Sequence, residues 1–174
     1  MTISAPDLLP TDADTTVVPG SRTESLIRPR FEGTNICTWI GFKHVNYMVE
    51  EAVIAHFRAA GFGPGRLFEE FGAGFDIVDI HTRILHALHI DDEARAEVIQ
   101  LPSENGEARF RVYLFVPRAD GEVKAVSAKV AVVLRRDGRH DGDAARLPDE
   151  LELFAVDRIG PAETEGELMP AGLP

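Results

Sequence analysis

The sequence predicts an α+β domain in which one long buried helix is wrapped by an antiparallel sheet. Two observations carry that expectation. Residues 45–60, VNYMVEEAVIAHFRAA, run without Gly or Pro, are dense in helix formers and stop at Gly61. Beyond a Gly/Pro-rich connection over residues 61–65, four stretches of strand character follow one another without a second helical period.

Within the helix, Val49, Ala52, Val53, Phe57 and Ala60 recur at steps of three and four, and Met48, Ile54 and Ala55 extend the apolar surface around most of the circumference. A helix apolar on so many sides is expected to be wrapped rather than laid on a surface. The strand runs are 74–90, 94–101, 108–117 and 123–135. In the third, Phe110, Val112, Leu114 and Val116 alternate with more polar residues; in the fourth, Val126, Ala128, Val130, Val132 and Leu134 do the same. Ala119-Asp120-Gly121-Glu122 between them carries hairpin chemistry.

The flanks read differently. Residues 1–27 mix Thr, Ser, Asp and Pro without a period and are expected to form a flexible arm; 28–136 form the domain. Residues 137–174 are an acidic extension with one possible short helix at 148–156, where Pro148 suits a first turn. The formal charge of −11 follows this division: net −3 in 1–27, −1 in 28–136 and −7 in 137–174. Such a chain is a poor match for nucleic acid or an anionic membrane, both of which select clustered Lys and Arg. The single cysteine, Cys37, allows neither an intrachain disulfide nor a multi-cysteine zinc site. No apolar run approaches a membrane span, and the first ten residues lack a signal-peptide pattern, so a cytoplasmic protein is expected.

Residues 30–61 carry a resemblance. Phe31-Glu32-Gly33-Thr34-Asn35, then Gly41, His44, Asn46-Tyr47 and Glu50-Glu51-Ala52, are similar in order to the first half of 4-hydroxybenzoyl-CoA thioesterase-like proteins. Ile90-Asp91-Asp92-Glu93 resembles the turn before that family's third strand, and Leu147-Pro148-Asp149-Glu150 a helix start after its last. The resemblance covers 28–136 with a weaker echo to 156. It implies the hotdog fold, a homo-oligomer (dimer or tetramer) with sites at subunit interfaces, and hydrolysis of an acyl-CoA or acyl-carrier-protein thioester. No cofactor is implied beyond the coenzyme A or phosphopantetheine of the substrate itself. One departure stands out: the family's catalytic Asp aligns with Asn35, and an amide cannot serve as a carboxylate base. Some hotdog thioesterases, among them those of enediyne polyketide pathways, carry Asn there too. The helix-opening pair of the family matches either Asn46-Tyr47 with compensating gaps or His44-Val45 without them.

Thioester hydrolysis needs a polarised carbonyl and an activated water or nucleophile. In the family the carbonyl lies at the start of the central helix, here near Phe42–Asn46, where unpaired backbone N–H groups point outward. Glu51 or Glu50, assisted by Asn35, are candidates to activate water, although a Glu in the first helical turns also suits the helix dipole. His44 is a candidate catalytic group or a helix-capping residue. Asn46 is a candidate for substrate binding and equally a plausible N-cap. Lys43, Arg83 and the Arg135-Arg136 pair could meet the phosphates of coenzyme A, or be solvated surface charges. A Cys37–His44 thiol pair is chemically conceivable, but a lone cysteine more often packs as a small hydrophobe. His81, His86 and His89 do not suggest a metal site, since on one strand His81 and His89 stand roughly 26 Å apart with His86 on the other face. A hydratase, decarboxylase or acyltransferase on the same fold, or a non-catalytic acyl-thioester binding module, are the competing readings.

Overall fold

The computed structural model describes residues 17–30, 38–136 and 144–157. Strand β1 (Arg22–Ile27) leads through residues 28–41 to helix α1 (Phe42–Ala59) and a shorter helix α2 (Pro64–Phe71). Then come β2 (Ala73–Ile84), β3 (Ala94–Glu104), β4 (Glu107–Arg118) and β5 (Gly121–Arg136), a single turn α3 (Asp149–Glu152), and β6 (Ala155–Asp157). The sheet order is β1-β3-β4-β5-β2, every neighbour antiparallel, while β6 runs parallel to β5 along Leu134–Arg136. The sheet curls about α1.

Alternation places the core. β4 turns Phe110, Val112, Leu114 and Val116 inward, and β5 turns Val126, Ala128, Val130, Val132 and Leu134 inward; all are buried. They meet one face of α1, made of Val45, Met48, Val49, Ala52, Val53, His56 and Phe57. The helix is therefore less enclosed than its composition implies. Ile54 and Ala55 are only half-buried, and Phe42, Lys43, Tyr47, Glu51 and Arg58 are exposed, because a single curled sheet covers one side of a helix.

Several boundaries differ from the sequence reading. The expected flexible arm is ordered from Val17, which is buried, and Arg22–Ile27 pairs with β3 in full register. Polar residues alternate along β1 because one of its faces meets solvent. Helix α2 was not anticipated: Gly63-Pro64 reads as a connection, but Pro64 opens a helix at its first turn and Gly72, at φ 59°, closes it. The first strand run stops at Ile84, so His86 and His89 lie on the connection to β3, not on the strand. Asn105-Gly106, with φ of 55° and 74°, makes the tight β3–β4 turn that these two residue types favour. In the C-terminal extension Leu147, Leu151 and Phe154 are buried, so part of it belongs to the core; the short helix is one turn, followed by β6.

His56 is the buried exception among apolar residues. Its Nδ1 lies 2.9 Å from Thr23 Oγ1, and its Nε2 3.3 Å from Ser21 Oγ and 3.5 Å from Gln100 Oε1. This cluster ties α1 to β1 and β3. Burial disfavours the imidazolium and lowers the His56 pKa below 6.5, against the opposing pull of the Gln100 hydrogen bond. The unfolded chain then binds the proton more readily. The stabilisation is complete above pH 6.5 and declines as the pH falls toward the lowered value. Urea midpoints of the native chain should fall between pH 7.5 and 5.5 more steeply than those of His56→Gln; parallel curves would exclude this contribution.

Candidate active site

The start of α1 is built by pairing across the fold. Ile40 N donates to Leu88 O at 2.8 Å, Ile90 N donates to Thr38 O at 3.0 Å, and Trp39 pairs with His89. The segment 38–40 is thereby clamped to the connection between β2 and β3. That connection is itself anchored: the Arg118 guanidinium donates to both Asp92 oxygens at 2.7 and 2.9 Å and to Ala87 O at 2.9 Å. Burial pushes the Asp92 carboxyl up, but the Arg118 hydrogen bond, the His89 amide and the Arg118 charge together hold it below the usual carboxylate range. Thr38 stands at φ 64°, a left-handed conformation that costs a β-branched residue about 1–2 kcal/mol. Thr38→Gly should relieve that strain and, after the entropy that glycine loses on folding, stabilise the protein by about 0.5–1 kcal/mol in urea unfolding. A loss of stability instead would show that the Thr38 side chain holds the clamp.

Gly41 is the N-cap, and its carbonyl accepts from the amides of His44 and Val45 at 2.9 and 3.1 Å. The amides of Phe42 and Lys43 come before the first intrahelical acceptor and remain available at the helix terminus. The helix starts three residues earlier than its composition suggests, so Asn46 sits one turn inside it and is not the N-cap.

Below that terminus lies a pocket of about 310 Å³, bounded on one side by Ile27 and Arg28 at the end of β1 and on the other by His44, Tyr47, Glu50 and Glu51 of α1. The two glutamates differ. Glu50 is half-buried, and desolvation raises its carboxyl above the ordinary 4.5. Glu51 is exposed and pairs with Arg58 at 2.5 Å. His44 stacks edge-on against Tyr47 with ring centroids 5.6 Å apart, and Lys43 Nζ lies 5.6 Å from the same ring centre.

Asn46 stands one turn before Glu50 on α1, and its Oδ1 is buried without a hydrogen-bond partner. Thr82 Oγ1, on the helix-facing side of β2, is in the same condition. The Phe57 and Phe75 rings touch, with centroids 4.5 Å apart, and α1 and β2 run antiparallel from that point. Eleven helical residues back to Asn46 cover about 16 Å, and seven strand residues forward to Thr82 about 23 Å. Asn46 shares its helix face with Phe57, and Thr82 faces the helix from β2, so both orphan oxygens belong to the α1–β2 side of the fold. Thr82 carries no signal in the sequence, where a Thr in a β-branched run reads as strand filler.

The remaining candidates separate. Phe42 and Lys43 are at the helix start. Arg83 lies on the face of β2 turned away from α1, opposite Ser127, and so outside the pocket. Arg135 pairs with Asp76, and Arg136 with Glu152 and Asp157, which commits both to local ion pairs. Asn35 and Cys37 lie outside the described residues.

The fold has close counterparts among solved structures. 4-Hydroxybenzoyl-CoA thioesterase from Pseudomonas sp. strain CBS-3 superposes with a TM-score of 0.62 at 18% identity, over 76% of this chain and 98% of that one. The chain has the hotdog fold. A gentisyl-coenzyme A thioesterase matches with a TM-score of 0.60 at 14% identity, covering 75% of this chain and 99% of that one. A DHNA-CoA thioesterase from Staphylococcus aureus gives 0.59 at 12%, over 72% and 80%. No family model and no curated protein sequence matches the chain. The likeness to 4-hydroxybenzoyl-CoA thioesterase anticipated from residues 30–61 thus holds at the level of the hotdog fold. Among the described residues, no helix is long and apolar enough to cross a membrane.

Proposed function

We propose that this hotdog protein is an acyl thioesterase. The observation that carries the reading is the half-buried Glu50, with its raised pKa, in a pocket beneath the free amides of α1. The thioester carbonyl oxygen accepts from the Phe42 and Lys43 amides, where negative charge on the tetrahedral intermediate is stabilised. Glu50 removes a proton from water as it attacks the carbonyl carbon. Collapse breaks the C–S bond, the proton passes to the departing thiolate, and a carboxylic acid and a free thiol remain. Asn46 Oδ1 and Thr82 Oγ1 supply acceptors that fix the water. Glu51, tied to Arg58, borders the site, and Asn35 is assigned to orient substrate rather than to act as a base.

The active unit is a homo-oligomer. β2 has β5 on one side and no strand on the other among the described residues, and it exposes Val78 and Ile84 along that edge. Leu85, Trp39 and Phe42 continue an apolar surface from it to the helix start. A second copy adding its own β2 would cover that edge and close the seam holding Asn46, Glu50 and Thr82.

The test is release of free thiol from a panel of aliphatic and aromatic acyl-CoAs. Hydrolysis of at least one, abolished in Glu50→Gln and kept in Glu51→Gln, is the expected result. Tight acyl-CoA binding with no thiol released would make the protein a binding module. Products carrying an intact thioester that has lost water or carbon dioxide would make it a lyase on the same fold.

A further inference from the structure

The face of the sheet turned away from α1 has a charge pattern opposite to that of the whole chain. Arg111 of β4 stands directly across from Lys129 of β5, which stands across from His81 of β2. Arg83 lies two residues along β2, and Lys124 shares the same face of β5 because of the bulge between them. Arg83, Lys124 and Lys129 are exposed. None of Arg83, Arg111, Lys124 and Lys129 forms an ion pair with a described residue. Lys124 Nζ instead lies 4.1 Å from the Tyr113 ring centre, and Arg111 reaches the Tyr113 hydroxyl at 3.5 Å. The acids bordering the group are Asp79, opposite Ala131, and Glu122, two residues before Lys124 on the same face of β5 and already paired with Arg95. On the β1–β3 side of the same face, by contrast, Arg22 and Arg95 are neutralised by Glu24 and Glu97, and Arg95 also by Glu122 of β5.

Like charges directly opposite in a sheet destabilise it, and a chain of net −11 has acids enough to avoid the arrangement. The cations are also dispersed. Three strands span about 10 Å, and five residues along β5 span roughly 17 Å. A pyrophosphate calls for donors converging within a few ångströms, whereas this flat spread suits the acidic side of a protein. We infer that this face docks an acidic carrier protein, which presents the acyl group on its phosphopantetheine arm. The inference rests on the thioesterase reading and chooses the carrier-bound form of its substrate. A flexible arm suits the geometry, since Arg83 faces the docking surface while its neighbour Thr82 faces the reaction seam around the same sheet edge.

The experiment compares the full chain with Lys124→Glu/Lys129→Glu and with the charge-preserving Lys124→Arg/Lys129→Arg. The probes are an unacylated phosphopantetheinylated acyl carrier protein for binding, and the same carrier and coenzyme A, each octanoylated, for turnover. Charge reversal should weaken carrier binding by roughly tenfold or more and lower kcat/KM on the octanoyl carrier to match. The arginine variant should behave as the native chain, and added salt should weaken binding. Octanoyl-CoA turnover should be the same in all three proteins. Equal carrier affinity in the reversed variant, no carrier binding by the native chain, or equal loss on both substrates would overturn the proposal. So would a change in sedimentation on charge reversal, which would make the face a contact between copies. Carrier binding without thiol release would sink the thioesterase reading and leave the docking surface standing.

Discussion

Glu50→Gln should lower kcat by about 10²–10⁴-fold, the usual contribution of a positioned general base. The loss should fall on kcat rather than KM, because the amide fills the same space and leaves the Phe42 and Lys43 amides in place. On the thioesterase reading the native protein should also show an acid limb in its kcat profile with a midpoint above the ordinary glutamate value of 4.5, since a general base acts only when ionised and burial raises the Glu50 pKa. Folding stability should respond in the opposite sense. A carboxyl whose folded pKa is raised stabilises the fold below its unfolded value and loses that contribution as the pH rises through the folded one. Near pH 7.5 the uncharged Gln escapes this cost, so the variant should unfold at a urea concentration no lower than the native chain. An inactive variant of undiminished stability separates lost chemistry from lost structure. Glu51→Gln should keep its activity within about threefold, because an exposed pair such as Glu51–Arg58 contributes little. Full activity in Glu50→Gln would remove Glu50 from the mechanism.

Phe57→Ala should cost about 3–5 kcal/mol, a large share of the stability of a domain this size. Phe57 is wholly buried, and its ring meets Phe75 of β2 at 4.5 Å, Phe110 of β4 at 5.6 Å and Phe154 beyond α3 at 6.3 Å between centroids. Truncation would leave a cavity where the helix, both halves of the sheet and the C-terminal segment converge. Phe154→Ala should cost a comparable amount, although Phe154 lies in what composition marks as an acidic tail. Urea titration of both variants would measure this. A loss below about 1 kcal/mol for Phe154→Ala would show that residues 144–157 do not pack against the domain.

The fold was legible where periodicity is strong. Helix α1 and strands β3, β4 and β5 bury whole faces, so their apolar residues recur at the spacing of the element. β1 and α2 were missed because each buries little: the pattern of β1 is mostly solvent-facing, and Leu67 alone is fully buried in α2. The lining of the candidate pocket is legible in part. His44, Glu50 and Glu51 were named from their place near a helix start, and all three line the pocket. Choosing between the glutamates requires knowing that Arg58 stands within reach of Glu51 and that Glu50 is partly withdrawn from water, which seven- and four-residue spacings on a helix do not decide. That Thr82 and Asn46 share the α1–β2 side follows from the courses of α1 and β2, a long-range fact with no local signature. Arg83 had the right residue type on the wrong face, because the bulge at Val78 shifts the alternation of β2.

The clamp of residues 38–40 against 88–90 also fixes an order of events. The helix terminus is set by backbone bonds between residues about fifty apart in sequence, and these form only after β2 has crossed the sheet and the chain has turned back toward β3. Loop closure of that length is slow compared with growth of α1 itself. During synthesis the helix can therefore form well before the candidate site is assembled. A chain still emerging, or halted before Asp92 and Arg118 meet, would carry the α1 residues of the pocket on a helix whose terminus is not yet fixed.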